Sequence, residues 1–422
     1  MTSGEAGDPQ EMRNSRDQVI HRAALGTQQF INPKSISPDD DMVMLSGIGK
    51  TIRWLGVLVS VLVMLLGVGL IIDGVYGFGN SRAQDLFGLA TNPLIGLMVG
   101  ILATALLQSS TATTAITVTA VGLGVISVPV AIPVIMGANI GTTVTVFIIS
   151  YSYIGHREEF RRAFASAAVH GFFNLLMVLL LVPIEFIFAP LRRVSGAMAS
   201  SVFGDVLGPS DTGTFITAIF QPAVDFIGNR GLLGEIFIPT VAAVMTILLG
   251  TALIVIGVRA ISVQLRTLMA AATHTLLERS SGTSDALGLL TGTVGTMTLQ
   301  ASSVTVSSLL PFSAAGSLKL REVLAITLGA NVGTTLSSLL VALALPGSLG
   351  SFALQAAIVH LLFNVLGALL VLLLPPLRKL ILFLATRLAD FAVRSYTLSF
   401  VLLMGYFFLL PAAVIGVYSL LN

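Results

Sequence analysis

The sequence contains no cysteine and little charge. Charged residues make up only 10% of its 422 residues, and the formal net charge is +2. The absence of cysteine excludes disulfides and thiolate metal sites. Since a soluble domain carries about 25% charged residues, the low charge excludes an ordinary soluble protein. The small net charge also gives no reason to expect a nucleic-acid partner.

Ionisable side chains are also scarce inside the apolar runs. Apart from Arg53, Glu235, Arg321 and Glu322 at the starts of their runs, Glu185 is the only charged residue within such a run, close to its end, and Asp73 marks the end of the first run. The five histidines are scattered and lack the spacing of a metal site such as HExxH. The sequence shows no acid–base pair, metal cluster or activated nucleophile. We therefore predict that the protein is not an enzyme, takes no cofactor, and binds its substrate with hydroxyls, amides and helix ends.

Long hydrophobic runs are what the sequence has instead, and hydrophobic residues make up 55% of it. A spanning helix needs about 20 apolar residues. Seven runs reach that length, near 52–72, 129–150, 163–188, 234–258, 321–344, 352–375 and 397–420. Two further apolar stretches, 92–126 and 285–312, are interrupted by polar residues, and each is predicted to be a broken helical hairpin rather than a crossing. This pattern predicts an all-α polytopic membrane protein.

A polar, glycine-rich motif occurs twice within these runs. Gln108-Ser-Ser recurs as Gln300-Ala-Ser, and the seven residues ending at Thr143 recur ending at Thr335, both at an offset of 192 residues. Aligning 94–145 with 286–337 without a gap gives 15 identities in 52 positions. Secondary transporters build midplane sites from duplicated, broken helices. We therefore predict two inverted-topology repeats, each with a broken helical hairpin plus spanning helices.

Charge placement indicates an orientation for these segments. With a cytoplasmic amino terminus, the inside loops hold fourteen Lys and Arg residues and the outside loops four, as the positive-inside rule requires. The stretch 376–396 is either a surface helix or a poor crossing, so the side of the carboxyl terminus stays open.

The predicted segments are a disordered cytoplasmic tail over 1–48, a first transmembrane helix over 49–88, repeat 1 over 89–190, an extracytoplasmic loop over 191–233, a connecting transmembrane helix and cytoplasmic loop over 234–284, repeat 2 over 285–376, and an amphipathic segment with the last transmembrane helix over 377–422.

The polar residues of the two motifs are spaced to share a helix face. Thr142 and Thr145 are three residues apart, as are Thr334 and Ser337, so each pair presents two oxygens on one side. Such oxygens suit small hard cations, and a half-helix beginning after each break suits anions. The alternative is that the motif glycines only permit close packing, while the hydroxyls bond to their own helices.

Two histidines precede asparagines in corresponding places. His170 stands one turn before Asn174, and His360 stands one turn before Asn364. A histidine within a membrane helix is more often packed or hydrogen-bonded to a neighbouring helix than a ligand, so these are expected to be structural. The asparagines are open to either interpretation.

These motifs resemble those of the type II sodium–phosphate cotransporters and their bacterial relatives. The stretches that carry the resemblance are Gln108-Ser-Ser-Thr, Gly137–Thr143, Phe160–His170 and Phe173-Asn174 in the first half, and Gln300-Ala-Ser-Ser-Val, Leu328–Thr335, His360 and Phe363-Asn364 in the second. The resemblance implies a symporter that couples sodium entry to inorganic phosphate uptake by alternating access. It also implies a multi-pass protein of the plasma membrane, here the bacterial cytoplasmic membrane, with its amino terminus in the cytoplasm. Its expected partners are phosphate, sodium as the coupling ion and only metal, and the lipid bilayer.

The resemblance also implies roles for single residues. Phosphate would contact Ser109, Ser110, Thr111, Ser302 and Ser303. Gln300, Thr334 and Ser337, assisted by Thr335, would hold one sodium, and their repeat 1 counterparts would be Gln108, Thr142, Thr143 and Thr145. Possible supporting residues are Asn139, Asn174, Asn331 and Asn364.

Two departures from the family pattern alter these expectations. Ala301 stands where relatives usually have serine, which removes a hydroxyl from one sodium site. Gly171 stands where electrogenic members have Asp, so we expect one fewer sodium per cycle and transport close to electroneutral.

Other functions remain open at this stage. A symporter of another small oxyanion would use the same hydroxyls and helix ends. A membrane protein that senses phosphate without moving it is a second alternative. An ion channel is a third, but two closed polar breaks argue against a continuous pore. Neither the sodium stoichiometry nor the oligomeric state follows from the sequence.

Overall fold

The computed structural model describes residues 47–77, 92–122, 124–202, 212–280, 284–343 and 347–421. Within these ranges the chain forms helices and no strand, which confirms the all-α class. Seven helical stretches are long and apolar enough to cross a membrane, and they match the seven predicted runs. They are Ile48–Ile71, Val128–Tyr153, Arg157–Phe188, Pro239–Ile261, Leu320–Leu343, Gly350–Leu373 and Tyr396–Leu421. The protein is thus an integral, multi-pass membrane protein, and its predicted disordered tail lies almost wholly outside the described residues.

Repeat 1 begins with a helix that ends at the first polar break. Asn92 caps this helix by accepting a hydrogen bond from Leu94 N at 2.9 Å, and Pro93 occupies its first position, where a missing N–H costs nothing. The helices of this part are α1 (Gly47–Gly77), α2 (Pro93–Leu107), α3 (Ser110–Gly122), α4 (Val128–Gly141), α5 (Thr143–Ser150) and α6 (Arg157–Phe188). The predicted helix–break–helix arrangement of 92–126 is therefore present in α2 and α3.

The segment between the repeats is largely helical where the structure describes it. It contains α7 (Pro190–Ser201), α8 (Thr212–Ile227), α9 (Leu232–Ile236) and the long α10 (Pro239–Ser280). The start of α7 explains the buried acid of the preceding span, because the Glu185 carboxylate accepts hydrogen bonds from Leu191 N at 2.7 Å and Arg192 N at 3.1 Å. A carboxylate at a helix amino terminus is stabilised by the free N–H groups there. Glu185 is thus a helix cap rather than a substrate ligand.

Repeat 2 has the same order of elements, with a more broken returning arm. Its helices are α11 (Asp285–Leu299), α12 (Ser302–Ser307), α13 (Leu310–Ala314), α14 (Leu320–Leu343) and α15 (Gly347–Leu373). Ser284 caps α11 by accepting from Leu287 N. Where repeat 1 has the single helix α3, repeat 2 has the short helices α12 and α13, so the second hairpin is also helix–break–helix.

The motif glycines allow the two arms of each repeat to approach closely. A Cβ placed on Gly137 of α4 would overlap Leu97 O of α2, and one on Gly329 of α14 would overlap Leu289 O of α11. Real side chains do not approach a carbonyl oxygen so closely, so only glycine fits at both positions. The packing interpretation therefore holds for these glycines, and a binding role rests on their polar neighbours.

The carboxyl-terminal part contains the segment whose status the sequence leaves open. It forms α16 (Pro375–Arg394), followed by α17 (Tyr396–Met404), a π-helical turn (Gly405–Leu409) and α18 (Leu410–Leu421). Extended residues Leu374 and Ser395 separate α16 from the spans on either side. Ile381, Ala385 and Ala389 are buried, and α16 packs against α6. Unlike its neighbours, α16 is too charged to count among the candidate spans.

Candidate functional site

The two breaks have the same unusual backbone. Gln108 and Gln300 both adopt left-handed conformations, with φ values of 52° and 54°, and each ends a helix. A residue other than glycine rarely takes a positive φ. Each amide side chain folds back on its own helix, where Nε2 of Gln108 donates to Ala105 O and Nε2 of Gln300 donates to Met297 O. These bonds hold the glutamine side chains at the break, with both Oε1 atoms free to accept.

A hydroxyl from the spanning helix closes each break. Thr145 Oγ1 donates to Gln108 Oε1 at 2.8 Å, and Ser337 Oγ donates to Gln300 Oε1 across the same sequence separation of 37 residues. In each repeat the glycine-rich motif of the spanning helix thus contacts the glutamine of the break. Each repeat brings an amide oxygen and a hydroxyl oxygen of a candidate spanning helix together.

A pair of threonines that was not predicted from the sequence joins the two arms of each hairpin. Thr104 Oγ1 donates to Thr113 Oγ1 at 2.9 Å, and Thr296 Oγ1 donates to Thr305 Oγ1 at 2.7 Å. All four side chains are buried in their hairpins. The signal was present in the gapless alignment, because Thr104 matches Thr296 and Thr113 matches Thr305.

The returning arms begin differently in the two repeats. Ser109 Oγ accepts from Ala112 N at 3.1 Å and so caps α3. Ala301 occupies the corresponding position before α12 and has no hydroxyl to do the same. The start of α12 therefore keeps backbone N–H groups that no side chain at position 301 satisfies. Alanine at position 301 in place of the family's serine thus leaves the start of α12 without a side-chain cap.

One hydrogen bond connects the two breaks directly. Thr111 Oγ1, on the first turn of α3, donates to the backbone carbonyl of Gln300 at 3.0 Å. A second contact completes the first break, where Thr142 Oγ1 donates to Ser110 Oγ at 2.9 Å. In repeat 2 the matching Thr334 donates instead to Ala330 O of its own helix. The two halves are thus equivalent in sequence but not in their contacts.

The candidate residues also differ in exposure between the repeats. Gln300 is only 6% exposed, whereas Gln108 is exposed and Ser109 and Thr145 are partly so. The other predicted phosphate and sodium residues are buried. They are Ser110, Thr111, Thr142, Thr143, Ser302, Ser303, Thr334, Thr335 and Ser337. The repeat 2 break therefore lies inside the protein, while the glutamine of repeat 1 lies at its surface.

Several of these hydroxyls donate to their own helices. Thr143 Oγ1 donates to Ile140 O at 2.8 Å, and Thr335 Oγ1 donates to Val332 O at 2.7 Å. Such back-bonding uses the hydroxyl proton and leaves the oxygen lone pairs free to accept or to coordinate a cation.

Two of the four asparagines join the repeats, and two do not. His170 Nε2 of α6 donates to Asn331 Oδ1 of α14 at 2.9 Å, and Asn331 Nδ2 donates to Asn174 Oδ1 at 2.6 Å. All three side chains are buried. By contrast, Asn139 and Asn364 donate to carbonyls of their own helices. His170 is thus an interhelical hydrogen-bonding group, as its sequence context suggested.

A cavity of about 420 Å³ leads to the repeat 2 break. Thr111, Gln300 and Ser337 contribute polar atoms to it, and most of the remaining lining is apolar. Trp54 and Met64 of α1 also line it. No ionisable side chain of the described ranges lines this cavity. A guest reaching Gln300 would therefore meet hydroxyl, amide and carbonyl oxygens and no charged side chain.

Comparison with known proteins places the chain in a family. The model of a family described as Na+/Pi-cotransporter matches residues 63–204 and 253–408, which include both breaks and both motifs. The chain belongs to the Na+/Pi-cotransporter family. The expected family is confirmed by this match, which covers most of the described protein. No solved structure matches the chain.

Curated members of the family show the same relationship. Sodium-dependent phosphate transport protein 2A of Rattus norvegicus is 30% identical over 80% of this chain and 63% of its own length. Protein 2B of Pongo abelii is 28% identical over 89% of this chain and 66% of its own length. Protein 2C of Rattus norvegicus is 30% identical over 69% of this chain. The chain thus spans just under two thirds of the length of these relatives.

Proposed function

We propose that the protein couples sodium entry to uptake of inorganic phosphate. The names of its relatives support this substrate pair. The structural observation that carries the proposal is the hydrogen bond from Thr111 to Gln300 O, which joins the two polar breaks at one buried point. A site made from both breaks can respond to two different ligands together, as coupled transport requires.

Oxygen atoms around Gln300 suit a sodium ion. Its Oε1 lies beside the Ser337 hydroxyl, its backbone carbonyl faces Thr111, and Thr334 stands one turn before Ser337. Amide, hydroxyl and carbonyl oxygens are the donors that small hard cations prefer. We assign one sodium to Gln300, Thr334 and Ser337, with Thr335 beside them. The equivalent repeat 1 residues, Gln108, Thr142, Thr143 and Thr145, form the related half-site.

Hydroxyls and helix starts suit the phosphate. Ser110 and Thr111 lie on the first turn of α3, where free N–H groups and the helix dipole favour an anion. Ser302 and Ser303 open α12, whose start lacks a serine cap at position 301. Since no basic side chain of the described residues lines the cavity that reaches Thr111, bound sodium is the charge that offsets the phosphate.

The environment of Gly171 supports transport that moves little net charge. A Cβ at this position would lie 3.0 Å from the Phe147 ring and 4.0 Å from Thr143 Oγ1. A carboxylate there would stand next to a proposed sodium residue and attract a further cation. With glycine, that countercharge is missing. The membrane potential, which contributes about 2.3 kcal/mol per charge per 100 mV, would then add little to uptake.

Alternating access follows from the duplicated arrangement in this proposal. The same glutamine geometry, hydroxyl bond and threonine pair occur at matching positions in both repeats, but Gln300 lines the cavity of about 420 Å³ and Gln108 does not. In alternating access, two similar halves exchange between a state open to one side of the membrane and a state open to the other, so a difference in access between the halves supports this mechanism. We propose that the repeats have inverted topology, with the amino terminus in the cytoplasm.

The test is labelled phosphate uptake into proteoliposomes, with an inward sodium gradient compared with an equal potassium gradient. We expect saturable, sodium-dependent uptake that Gln300→Ala abolishes. Gln355→Ala is the matched control, because it removes the same amide from α15, where Nε2 donates to Arg192 O far from either break along the chain. Its uptake should match that of the wild type.

Three results would contradict the proposal. Uptake that is equally fast with potassium would remove sodium as the coupling ion. Binding of phosphate without accumulation would indicate a sensor, and accumulation of sulfate or a carboxylate in place of phosphate would indicate a symporter of another anion.

A further inference from the structure

The exposed face of α16 presents a regular series of cations and aromatic rings. Lys379, Phe383, Arg387, Phe391 and Arg394 follow one another at spacings of four, four, four and three residues, so they form one stripe along the helix. All five are exposed, and the Arg387 guanidinium lies 5.1 Å from the centre of the Phe383 ring. We call these five residues the basic–aromatic stripe. Helices that lie at a membrane interface combine cations with phenylalanines in this way.

The charges of this stripe are not neutralised within the described protein. The only acid on α16 is Asp390, whose Oδ1 accepts from Arg161 Nε of α6 at 2.6 Å. Among the described residues, no carboxylate lies within ion-pair distance of Lys379, Arg387 or Arg394. The stripe therefore offers three cations to an external anion.

Ion pairs hold both ends of α16 at the starts of other helices. Near its beginning, Arg378 pairs at 2.8 Å with Asp285, the first residue of α11, and Arg321 at the start of α14 bonds the same carboxylate at 2.7 Å. Hydrogen bonding to Arg321 holds the pKa of the Asp285 carboxyl below its usual range, so the carboxylate stays ionised. Near the other end, Asp390 pairs with Arg161 in the second turn of α6.

The start of α6 lies close to the end of α13, the helix that precedes α14. Arg162 Nη1 donates to Ala314 O, shortly before α14 begins. The two anchoring points on α16, Arg378 and Asp390, are 12 residues or about 18 Å apart along the helix. Because both anchors lie near the starts of the spanning helices α6 and α14, we infer that α16 is a surface helix rather than a crossing.

An apolar cavity adjoins the stripe. It measures about 220 Å³ and lies between α5, α6, α16 and α17, with Phe172, Leu388, Phe391 and Leu402 in its lining. Phe391 belongs to both features, and it stands one turn from Arg387 and one turn from Arg394. A single ligand with an anionic group and a hydrocarbon chain could therefore contact the arginines and fill the cavity together.

We propose that α16 lies in the membrane interface and binds an anionic phospholipid, whose headgroup contacts Arg387 and Arg394 while an acyl chain enters the adjoining cavity. Interfacial helices carry both cations and Phe or Leu, and basic residues near the surface attract anionic lipids. The cavity also reaches Gly171 and Thr143. An effect of the lipid on uptake would rest on the function proposed above, whereas lipid binding itself would not.

The experiment measures which lipids remain on the purified protein. Detergent-solubilised protein is equilibrated with equal parts of phosphatidylglycerol and phosphatidylcholine, repurified, and its lipids are quantified by mass spectrometry. We expect the wild type to retain phosphatidylglycerol in preference. Because one basic residue contributes about 1 kcal/mol near an anionic surface, each arginine removed should weaken retention about five-fold. Arg387→Gln with Arg394→Gln should therefore lower it about 30-fold.

A second pair of arginines provides the control. Arg192 and Arg193 on α7 are also exposed, so Arg192→Gln with Arg193→Gln should retain the lipid as the wild type does. The cavity is tested separately by Leu402→Trp, which should remove the preference for long-chain over short-chain phosphatidylglycerol. Elution profile and thermal unfolding show that each variant is folded.

Three outcomes would overturn the proposal. They are undiminished retention by the Arg387 and Arg394 variant, an equal loss in the α7 control, and equal retention of the two lipids by the wild type. The last result would favour a protein partner for the stripe.

Discussion

Thr111 is the side chain whose replacement tests the joined site most directly. It is 3% exposed, and its hydroxyl donates to Gln300 O at 3.0 Å across a sequence separation of 189 residues. Valine has nearly the same shape, so Thr111→Val removes the hydrogen bond without opening a cavity. The Gln300 carbonyl, a proposed sodium ligand, would then lose the group that fixes its direction.

The size of the effect follows from ordinary hydrogen-bond energies. A net contribution of about 1 kcal/mol is typical in proteins, and interhelical bonds in membranes average about 0.6 kcal/mol. Since 1.4 kcal/mol is a factor of ten, we expect Thr111→Val to raise the half-saturating sodium concentration about three- to five-fold. The half-saturating phosphate concentration should rise as well, because Thr111 is also a proposed phosphate contact.

The assay is initial phosphate uptake at varied sodium, compared with a matched variant of the same helix. Thr114 is 1% exposed, and its hydroxyl donates only to Ser110 O and Thr111 O on α3. Thr114→Val should therefore leave both half-saturating concentrations near those of the wild type. Thr111→Ser keeps the hydroxyl, so its half-saturating concentrations should lie closer to those of the wild type than those of Thr111→Val. If Thr111→Val and Thr114→Val behave alike, the contact between the breaks does not link the two ligands.

Two further predictions concern glycines. Gly137→Ala or Gly329→Ala should each destabilise the protein by about 1–3 kcal/mol, because the added methyl group meets a carbonyl of the facing helix. Gly155→Ala is the control, since there is open space around its Cβ. If all three variants have the same free energy of unfolding, the packing argument is wrong. Addition of phosphate to the wild type should evoke no inward current in the presence of sodium, whereas Gly171→Asp should introduce one by placing a carboxylate near Thr143. A current in the wild type would refute the electroneutral cycle.

The sequence alone predicted the elements of this protein well. All seven spans were located, because an apolar run of sufficient length has few alternatives in a bilayer. Both breaks were located at Gln108 and Gln300, since polar residues interrupt an apolar run there and the duplication makes chance agreement improbable. These signals are local, so they can be detected before any packing is known.

Contacts between the repeats could not be predicted in the same way. The sequence indicated neither that Thr111 bonds to Gln300 O nor that Asn331 lies between His170 and Asn174. Such contacts depend on how helices far apart in sequence are rotated against each other, and hydroxyl and amide side chains can equally bond to their own helix. Asn139 in fact does so.

The difference in burial between the two glutamines is also decided by tertiary structure. Gln300 is buried beside a cavity that α1 helps to enclose, while Gln108 is exposed, although their local sequences match. Burial depends on which neighbouring helices cover a site, and a motif carries no information about them. The same reason explains α16: its amphipathic pattern is visible in the sequence, but the ion pairs of Arg378 and Asp390 with residues far along the chain are not.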